Sequence, residues 1–179
     1  MKIQYLLVLF SIATIVTSCQ SNVTKTQPDI PEMNTPINTE APIVSRNHIT
    51  IDRPVSRVWD ILTSINNWPK WQSEVTESTL NGPLQEGTTF DWKAGGLSFR
   101  SAIHTCKEKQ FFGWTGETFG ASAIHNWKFE EKDGHTIVYV EESLQGFFPW
   151  LLTSKFQKNL NAGMIKNLKE LKKACEAEI

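Results

Sequence analysis

His125 and Glu142 are the residues of this chain whose types and spacing indicate acid–base chemistry. In residues 121–129 the odd positions are small or aromatic apart from His125, a period of two that is typical of a strand with one buried face. Asp133-Gly134 then predicts a tight turn. A two-residue or four-residue loop places His125 opposite Glu142 on the next strand, whereas a three-residue loop with a bulge shifts the pairing by one. We favour the first register, because it turns three further apolar side chains inward, namely Val138, Val140 and Leu144.

The pair of His125 and Glu142 has three interpretations. A buried charge is costly unless it is paired, so we favour a structural pair that fixes the strand register. The alternatives are contact with a ligand and proton transfer, because histidine exchanges protons near neutral pH and a carboxylate partner sets its tautomer. Catalysis is the least favoured, since the sequence contains no serine elbow, no reactive-cysteine setting and no oxyanion-hole motif.

Aromatic residues give the second indication of a binding site. The chain contains seven tryptophans, and aromatic pairs alternate on one face of three predicted strands: Phe90 with Trp92, Phe112 with Trp114, and Trp127 with Phe129. Core packing explains these rings about as well as a pocket does, but flat, rigid side chains also suit a cavity for an apolar or aromatic molecule. We expect the two short helices and the approach to the last helix to form its mouth. The predicted ligand contacts are Trp68, Trp71, Trp92, Trp114, His125, Trp127, Glu142 and Phe156.

No metal site and no cofactor are predicted. His104 and Cys106 share one strand face, but the apolar alternation of that strand turns this face outward, and His48 and His135 fall near strand ends at the surface. The sequence has no His-x-x-x-His motif and no paired-cysteine spacing. Cys106 and Cys175 form either a disulfide or two separate, semi-buried thiols, and we favour the thiols.

The stretch from Gly146 to Glu176 must organise the fold. Its apolar residues recur at spacings of four and three, which predicts one amphipathic helix that begins at Pro149 and has a basic opposite face. Such a helix is roughly 40 Å long and needs a sheet to bury its apolar side. We therefore predict an α+β fold of order β-α-α-β6-α with a curved sheet around the last helix. The other predicted elements are a strand at residues 44–51, helical segments at 54–62 and 65–71, and strands at residues 75–80, 88–93, 97–108, 111–119, 121–131 and 136–145.

The N-terminus predicts an address in the bacterial cell envelope. Lys2 precedes an apolar run from Ile3 to Val16, which has the length of a signal-peptide core. The run ends in Val16-Thr17-Ser18-Cys19, which resembles the lipobox of bacterial lipoproteins, so we expect lipidation of Cys19. An ordinary secretory signal and a short membrane anchor are the alternatives. Gln20 in place of an aspartate favours the outer membrane or its periplasmic face.

Composition divides the chain into three parts. The segment after Cys19 is rich in threonine, asparagine and proline and has almost no large apolar residue, which is typical of a disordered tether. The remainder is long enough to bury a core. The predicted parts are a signal peptide at residues 1–18, a tether at 19–43 and a folded domain at 44–179.

Net charge argues against a nucleic-acid partner. The chain has 18 basic and 19 acidic side chains, and cleavage of the signal peptide removes one basic residue, Lys2, which leaves a net charge of −2. A nucleic-acid binder needs a basic surface, so we predict none. We interpret the basic face of the last helix as a solvated surface rather than as a site for lipid headgroups.

Several short stretches carry a family pattern. In residues 49–62 a strand ends before Pro54, which opens a helix that contains Val58-Trp59. The others are Asn67-Trp68-Pro69-Lys70-Trp71 and the two strand segments at residues 124–129 and 140–146. Together they resemble the SRPBCC superfamily, the START-related, polyketide-cyclase-like group, from Val44 to the end. The resemblance implies a helix-grip fold, in which a seven-stranded antiparallel sheet wraps around the C-terminal helix and leaves a cavity between them.

Membership of this superfamily would fix the fold better than the activity, because the group includes binders of lipids and hormones, cyclases, oxygenase subunits and chaperone activators. Three hypotheses follow. The first is a lipid-anchored protein that binds a small hydrophobic molecule. The second is a cyclase or dehydratase that uses His125 and Glu142. The third is an interaction domain with an unspecified protein partner, a core filled by its own side chains, and an exposed apolar patch.

Overall fold

The computed structural model describes residues 33–118 and 120–177, so the predicted signal peptide, the lipidation of Cys19 and most of the tether lie outside the described residues. Within them, the elements follow the predicted order. Strand β1 is followed by helix α1, a short 3-10 helix, six more strands and a helical C-terminus. The bounds are β1 Ile43–Ile51, α1 Val55–Thr63, the 3-10 helix Ile65–Lys70, β2 Val75–Leu80, β3 Thr89–Ala94, β4 Leu97–Lys107, β5 Phe111–Thr118, β6 Ala121–Lys132, β7 His135–Gln145, α2 Phe147–Leu151 and α3 Thr153–Glu176.

All seven strands form one antiparallel sheet in the order β1-β7-β6-β5-β4-β3-β2. The hairpin of β6 and β7 has the predicted register, with Lys132 opposite His135 and His125 opposite Glu142. Asp133 and Gly134 both have positive φ angles, of 53° and 79°, as a two-residue turn of this hand requires. The turn chemistry therefore fixes the register that brings His125 and Glu142 together.

The prediction of a single helix from Pro149 is wrong at its start. Helix α2 ends at Leu151 and α3 begins at Thr153, because Leu152 between them leaves the helical region with φ −121° and ψ 38°. Leu152 is 45% exposed and does not belong to the hydrophobic core. The ring of Phe148 packs against Gly120 at the end of the sheet, where a Cβ atom on the glycine would meet it at 2.6 Å.

The part of α3 from Met164 onward packs into the hydrophobic core. Met164, Leu168, Leu171 and Cys175 are buried there, whereas Leu160 is half-buried. Between the concave side of the sheet and the two short helices, tryptophans of the helices contact phenylalanines of the strands edge to face, a favoured geometry for aromatic pairs. The contacts join Trp59 to Phe112 and Phe129, and Trp68 to Phe90.

Residues 33–42, at the end of the predicted tether, contact the convex face of the sheet. The Asn34 backbone N–H donates to Thr105 Oγ1, the Asn38 backbone N–H donates to Ser143 Oγ, and Ile37 is buried. Composition assigns this segment to the tether, but the backbone N–H groups of its asparagines bond to buried hydroxyl groups of the sheet and hold it there. We call residues 33–42 the strap.

A bulge in β4 corrects the prediction that His104 and Cys106 share an outward face. The pairing with β5 shifts between Ile103 and Thr105, so that Cys106 lies opposite the buried Phe112 and joins the core. His104 stays on the convex face, where its Cε1 atom lies 2.5 Å from the position of a Cβ atom on Gly113. Cys106 and Cys175 are both free thiols, in agreement with the favoured alternative.

Candidate functional site

A cavity of about 680 Å³ lies between the concave face of the sheet and the middle of α3. Its walls are mainly apolar, as expected of a site for a small molecule. Aliphatic side chains such as Val140, Leu144 and Leu160 complete the lining. The aromatic walls are Trp68, Trp92, Phe99, Trp114 and Trp127.

The aromatic walls hold one another in fixed orientations. Trp92 stacks on Phe99 with ring centroids 4.4 Å apart, and its Nε1–H donates to Ser101 Oγ at 3.1 Å. Trp68 meets Trp114 at 5.6 Å, and its Nε1–H donates to the carbonyl oxygen of Leu62 at 2.7 Å. Because these rings are already placed, binding of a flat molecule would require little side-chain ordering.

His125 and Glu142 lie side by side in the wall of this cavity. His125 Nδ1 hydrogen bonds to Glu142 Oε2, and each side chain is 14% exposed. The imidazole ring also stacks on Trp114, with centroids 4.4 Å apart and planes 12° from parallel. Glu142 thus fixes the in-plane rotation of the ring while Trp114 fixes its plane.

The second ring nitrogen, His125 Nε2, is buried and has no hydrogen-bond partner among the described residues. A buried polar atom without a partner costs about 1–3 kcal/mol. A bound molecule that hydrogen bonds to Nε2 would remove that penalty. The pair is therefore arranged to orient one polar group of an otherwise apolar ligand.

Polar bonds connect α3 to the loop after the 3-10 helix at the edge of the cavity. Lys166 Nζ pairs with Glu74 Oε1, and Asn167 Nδ2 donates to Gln72 Oε1 at 2.7 Å. Lys166 is exposed, in agreement with the solvated basic face predicted for this helix, and it lies with Glu74 at the edge of the cavity. The mouth therefore involves this loop and the middle of α3, whereas α2 is not part of the lining.

The structure brings together most of the predicted ligand contacts. Trp68, Trp92, Trp114, His125, Trp127 and Glu142 line the cavity, whereas Trp71 and Phe156 do not. Trp71 follows the end of the 3-10 helix and packs against the core, and Phe156 lies one turn before the part of α3 that borders the cavity. Their placement depends on where the helices end, which the residue pattern alone does not give.

Several lining residues were missed as candidates. Phe99 lies on the inward face that alternation predicts for β4, so the signal was present. Gly163 lies at the centre of the helical face that borders the cavity, between Asn159, Leu160, Lys166 and Asn167. Without a side chain it gives no hydrophobic signal, although a glycine inside a helix is unfavourable and indicates a special position.

The remaining ionisable groups give no metal site among residues 33–118 and 120–177, where no cluster of three histidine, cysteine or acidic side chains is formed. Burial lowers the pKa of His104, against the opposing effects of Glu86 and Asn126. Burial raises the pKa of the Cys175 thiol to about 12, so this thiol stays protonated. In the same part of the chain, no helix is both long enough and apolar enough to cross a bilayer.

Comparison with known proteins places the chain in a structural group. A model of the family described as polyketide cyclase / dehydrase and lipid transport matches residues 42–176. No curated protein sequence matches the chain.

Solved structures share the fold at low sequence identity. A hypothetical protein from Helicobacter pylori has a TM-score of 0.70 at 18% identity over 79% of this chain and 95% of its own. An aromatase/cyclase from Streptomyces sp. R1128 has a TM-score of 0.67 at 9% identity over 74% and 93%. A START superfamily protein from Mycobacterium smegmatis has a TM-score of 0.60 at 12% identity over 74% and 94%. The predicted helix-grip fold is confirmed.

Proposed function

Because the chain belongs to the polyketide cyclase / dehydrase and lipid transport family, we propose that it is a binding protein for a small hydrophobic or aromatic molecule. The observation that carries this proposal is the aromatic-walled cavity of about 680 Å³ with the buried, hydrogen-bonded pair of His125 and Glu142 in its wall. A cavity of this size falls in the usual range for small-molecule sites.

The lining assigns a role to each group of residues. Trp68, Trp92, Trp114 and Trp127 supply flat contact area, and apolar burial against them provides most of the affinity. His125 and Glu142 orient a polar group of the ligand and reject molecules that lack one. No cofactor takes part in this function.

The proposed location is the bacterial cell envelope, with lipid attached at Cys19. The support is the sequence of the first 19 residues, which combines a short apolar run with small residues before a cysteine. The first bond from the strap to the sheet is made by Asn34, and 14 residues of sequence separate Cys19 from Asn34. Metabolic labelling with a radioactive fatty acid tests this attachment, and label that persists in Cys19→Ser contradicts it.

Native mass spectrometry of the whole mature protein from its own cell envelope tests the binding function. A fragment that begins at Val44 would lack the strap and its bonds to the sheet, so the mature chain is preferable. We expect a defined extra mass that is released on denaturation. A protein that carries no such mass, and that also fails to bind an apolar fluorescent probe, contradicts the proposal.

A second candidate function is a cyclase- or dehydratase-type reaction. The specific observation in its favour is His125, whose Nδ1 is held by Glu142 while Nε2 has no partner among the described residues. In this reading Nε2 exchanges a proton with the substrate and Glu142 keeps the ring in position. Turnover that is lost in His125→Gln while ligand binding remains supports this function, and full turnover in that variant refutes it.

A further inference from the structure

Helix α2 presents an apolar surface that the described part of the chain does not cover. Phe147 is 62% exposed, Trp150 69%, Leu151 55% and Leu152 45%. We call these four residues the apolar patch. Scattered exposed apolar side chains are normal on a protein surface, but a contiguous group that includes tryptophan indicates an interaction site.

The patch is mounted firmly on the sheet. Pro149 is buried, and the ring of Phe148 packs against Gly120 in the turn between β5 and β6. Gly146, which precedes α2, has a φ of 129° and lies so close to the backbone of Gly120 that a side chain would not fit. The buried side of α2 therefore fixes the helix while its other side points to solvent.

Two lysines without an ion-pair partner among the described residues, Lys155 and Lys158, follow the patch at the start of α3. From Gly146 to Lys169 the sequence contains four lysines and no aspartate or glutamate. Lys158 follows Lys155 by three positions in α3, so these two side chains lie on one side of the helix, shortly after Leu152. Neither of these two lysines forms an ion pair with another described residue.

We propose that the apolar patch docks on the surface of an anionic lipid bilayer. Tryptophan and other large apolar side chains partition into the boundary between headgroups and acyl chains. Lys155 and Lys158, next to the exposed apolar side chains, would attract lipid phosphates, so for this end of the basic face the proposal replaces the interpretation as solvated surface. A second copy of this chain fits less well, because a two-fold interface brings the same lysines together. A protein partner would need a larger surface, since standard interfaces use roughly 20 residues on each side.

Docking in this way brings the cavity close to the lipid surface. Thr118 and Ala121, on either side of the turn that holds Phe148, belong to the cavity lining, as do Asn159 and Gly163 of α3. A hydrophobic molecule dissolved in the bilayer would then reach the cavity over a short path. The docking itself does not depend on which molecule the cavity binds.

Vesicle flotation with the mature chain, which starts at position 19 and carries Cys19→Ser, tests the proposal, because neither a lipid on Cys19 nor the apolar run from Ile3 to Val16 can then hold the protein to the membrane. We expect the chain to float with vesicles of equal parts phosphatidylglycerol and phosphatidylcholine. Trp150→Ser with Leu151→Ser should weaken partitioning at least about tenfold, since two large side chains lose apolar contact. The matched control Tyr139→Ser removes an exposed aromatic ring from β7 and should have no effect.

The lysines have their own test. Lys155→Gln with Lys158→Gln should weaken binding to the anionic vesicles roughly 25-fold, since each lysine near such a surface contributes about 1 kcal/mol. Binding to pure phosphatidylcholine should not change. Lys132→Gln with Lys173→Gln removes the same charge at the other end of the domain and is the control.

Three outcomes would overturn the proposal. Equal flotation of all variants would mean that another segment holds the chain on the vesicles. Absence of flotation for the parent chain would mean that the patch does not bind lipid. Self-association that is lost in Trp150→Ser with Leu151→Ser, measured by analytical ultracentrifugation, would identify a second copy as the occupant.

Discussion

Substitutions at Gly163 should separate effects on the stability of the domain from effects on its ligand binding. It lies in α3 at the centre of the face that borders the cavity, and a Cβ atom at this position would meet nothing within 4 Å. Two substitutions then act differently. Gly163→Ala leaves the cavity almost unchanged, whereas Gly163→Phe directs a ring into it.

The magnitudes follow from helix propensity and from volume. Glycine inside a helix is about 0.8–1.0 kcal/mol less favourable than alanine, so Gly163→Ala should stabilise the domain by about that amount and raise its melting temperature by about 3 °C. A benzene ring needs a space of roughly 150 Å³. The ring of Gly163→Phe would therefore fill a substantial part of the 680 Å³ cavity without colliding with the backbone.

Urea unfolding and the fluorescence of N-phenyl-1-naphthylamine measure the two effects on ligand-free protein. Gly163→Ala should bind the probe like the parent chain, and Gly163→Phe should fold normally but bind it at least about tenfold more weakly, because the ring displaces apolar contact area. Unchanged probe binding in Gly163→Phe would refute the assignment of this cavity as the site. A loss of stability in Gly163→Ala would refute the inference that position 163 is an unstrained, open helical position.

Three further predictions concern stability. Because burial raises the pKa of the Cys175 thiol to about 12, the unfolded chain loses this proton first, and stability falls by about 1.4 kcal/mol per pH unit above pH 9. Urea unfolding at pH 10.5 should show a loss of about 2 kcal/mol that Cys175→Ala lacks, and equal losses in both chains would contradict this. Burial lowers the pKa of His104, so as the pH falls the unfolded chain binds this proton at a higher pH than the folded chain does. The free energy of unfolding should therefore decline below about pH 6.5. In His104→Gln, urea unfolding midpoints measured from pH 7 to 5 should decline less than in the parent chain. Ser143→Ala removes the acceptor of the Asn38 N–H and should cost about 1 kcal/mol and speed proteolysis of the strap, whereas unchanged cleavage would contradict its attachment.

Sequence patterns predicted the parts of the site that depend on local geometry. The turn at Asp133-Gly134 and the period of two along β6 fix the pairing of His125 with Glu142, because one residue of slip would turn every side chain to the other face. That conclusion requires no contact with residues outside the hairpin of β6 and β7. The favoured register of this hairpin is therefore confirmed, while its strands extend to Lys132 and begin at His135, one residue beyond the predicted bounds at the turn.

Other details depend on tertiary contacts that no local pattern encodes. The apolar spacing continues through Leu152 and Phe156, so nothing in that spacing marks the end of α2, although Leu152 leaves the helical region and Phe148 packs on Gly120. The bulge at His104 likewise depends on how β4 pairs with β5, and it moves Cys106 from the predicted outer face to the core. The asparagines of the strap match buried polar groups that only the folded sheet provides.

A cavity of this size must be occupied by solvent or by a ligand, which follows from the energetics of empty space. Cavities made by truncating core residues cost about 24 cal/mol per Å³, so a dry void of 680 Å³ would cost about 16 kcal/mol. That exceeds the usual stability of a whole domain, about 5–15 kcal/mol. The cavity reaches the surface at exposed residues such as Gly163 and Lys166, so solvent can occupy it, and the C-terminal half of α3 provides the core that stabilises the fold. An apolar molecule that displaces this water gains contact with walls already in place, and for this reason binding is the function that the fold supports best.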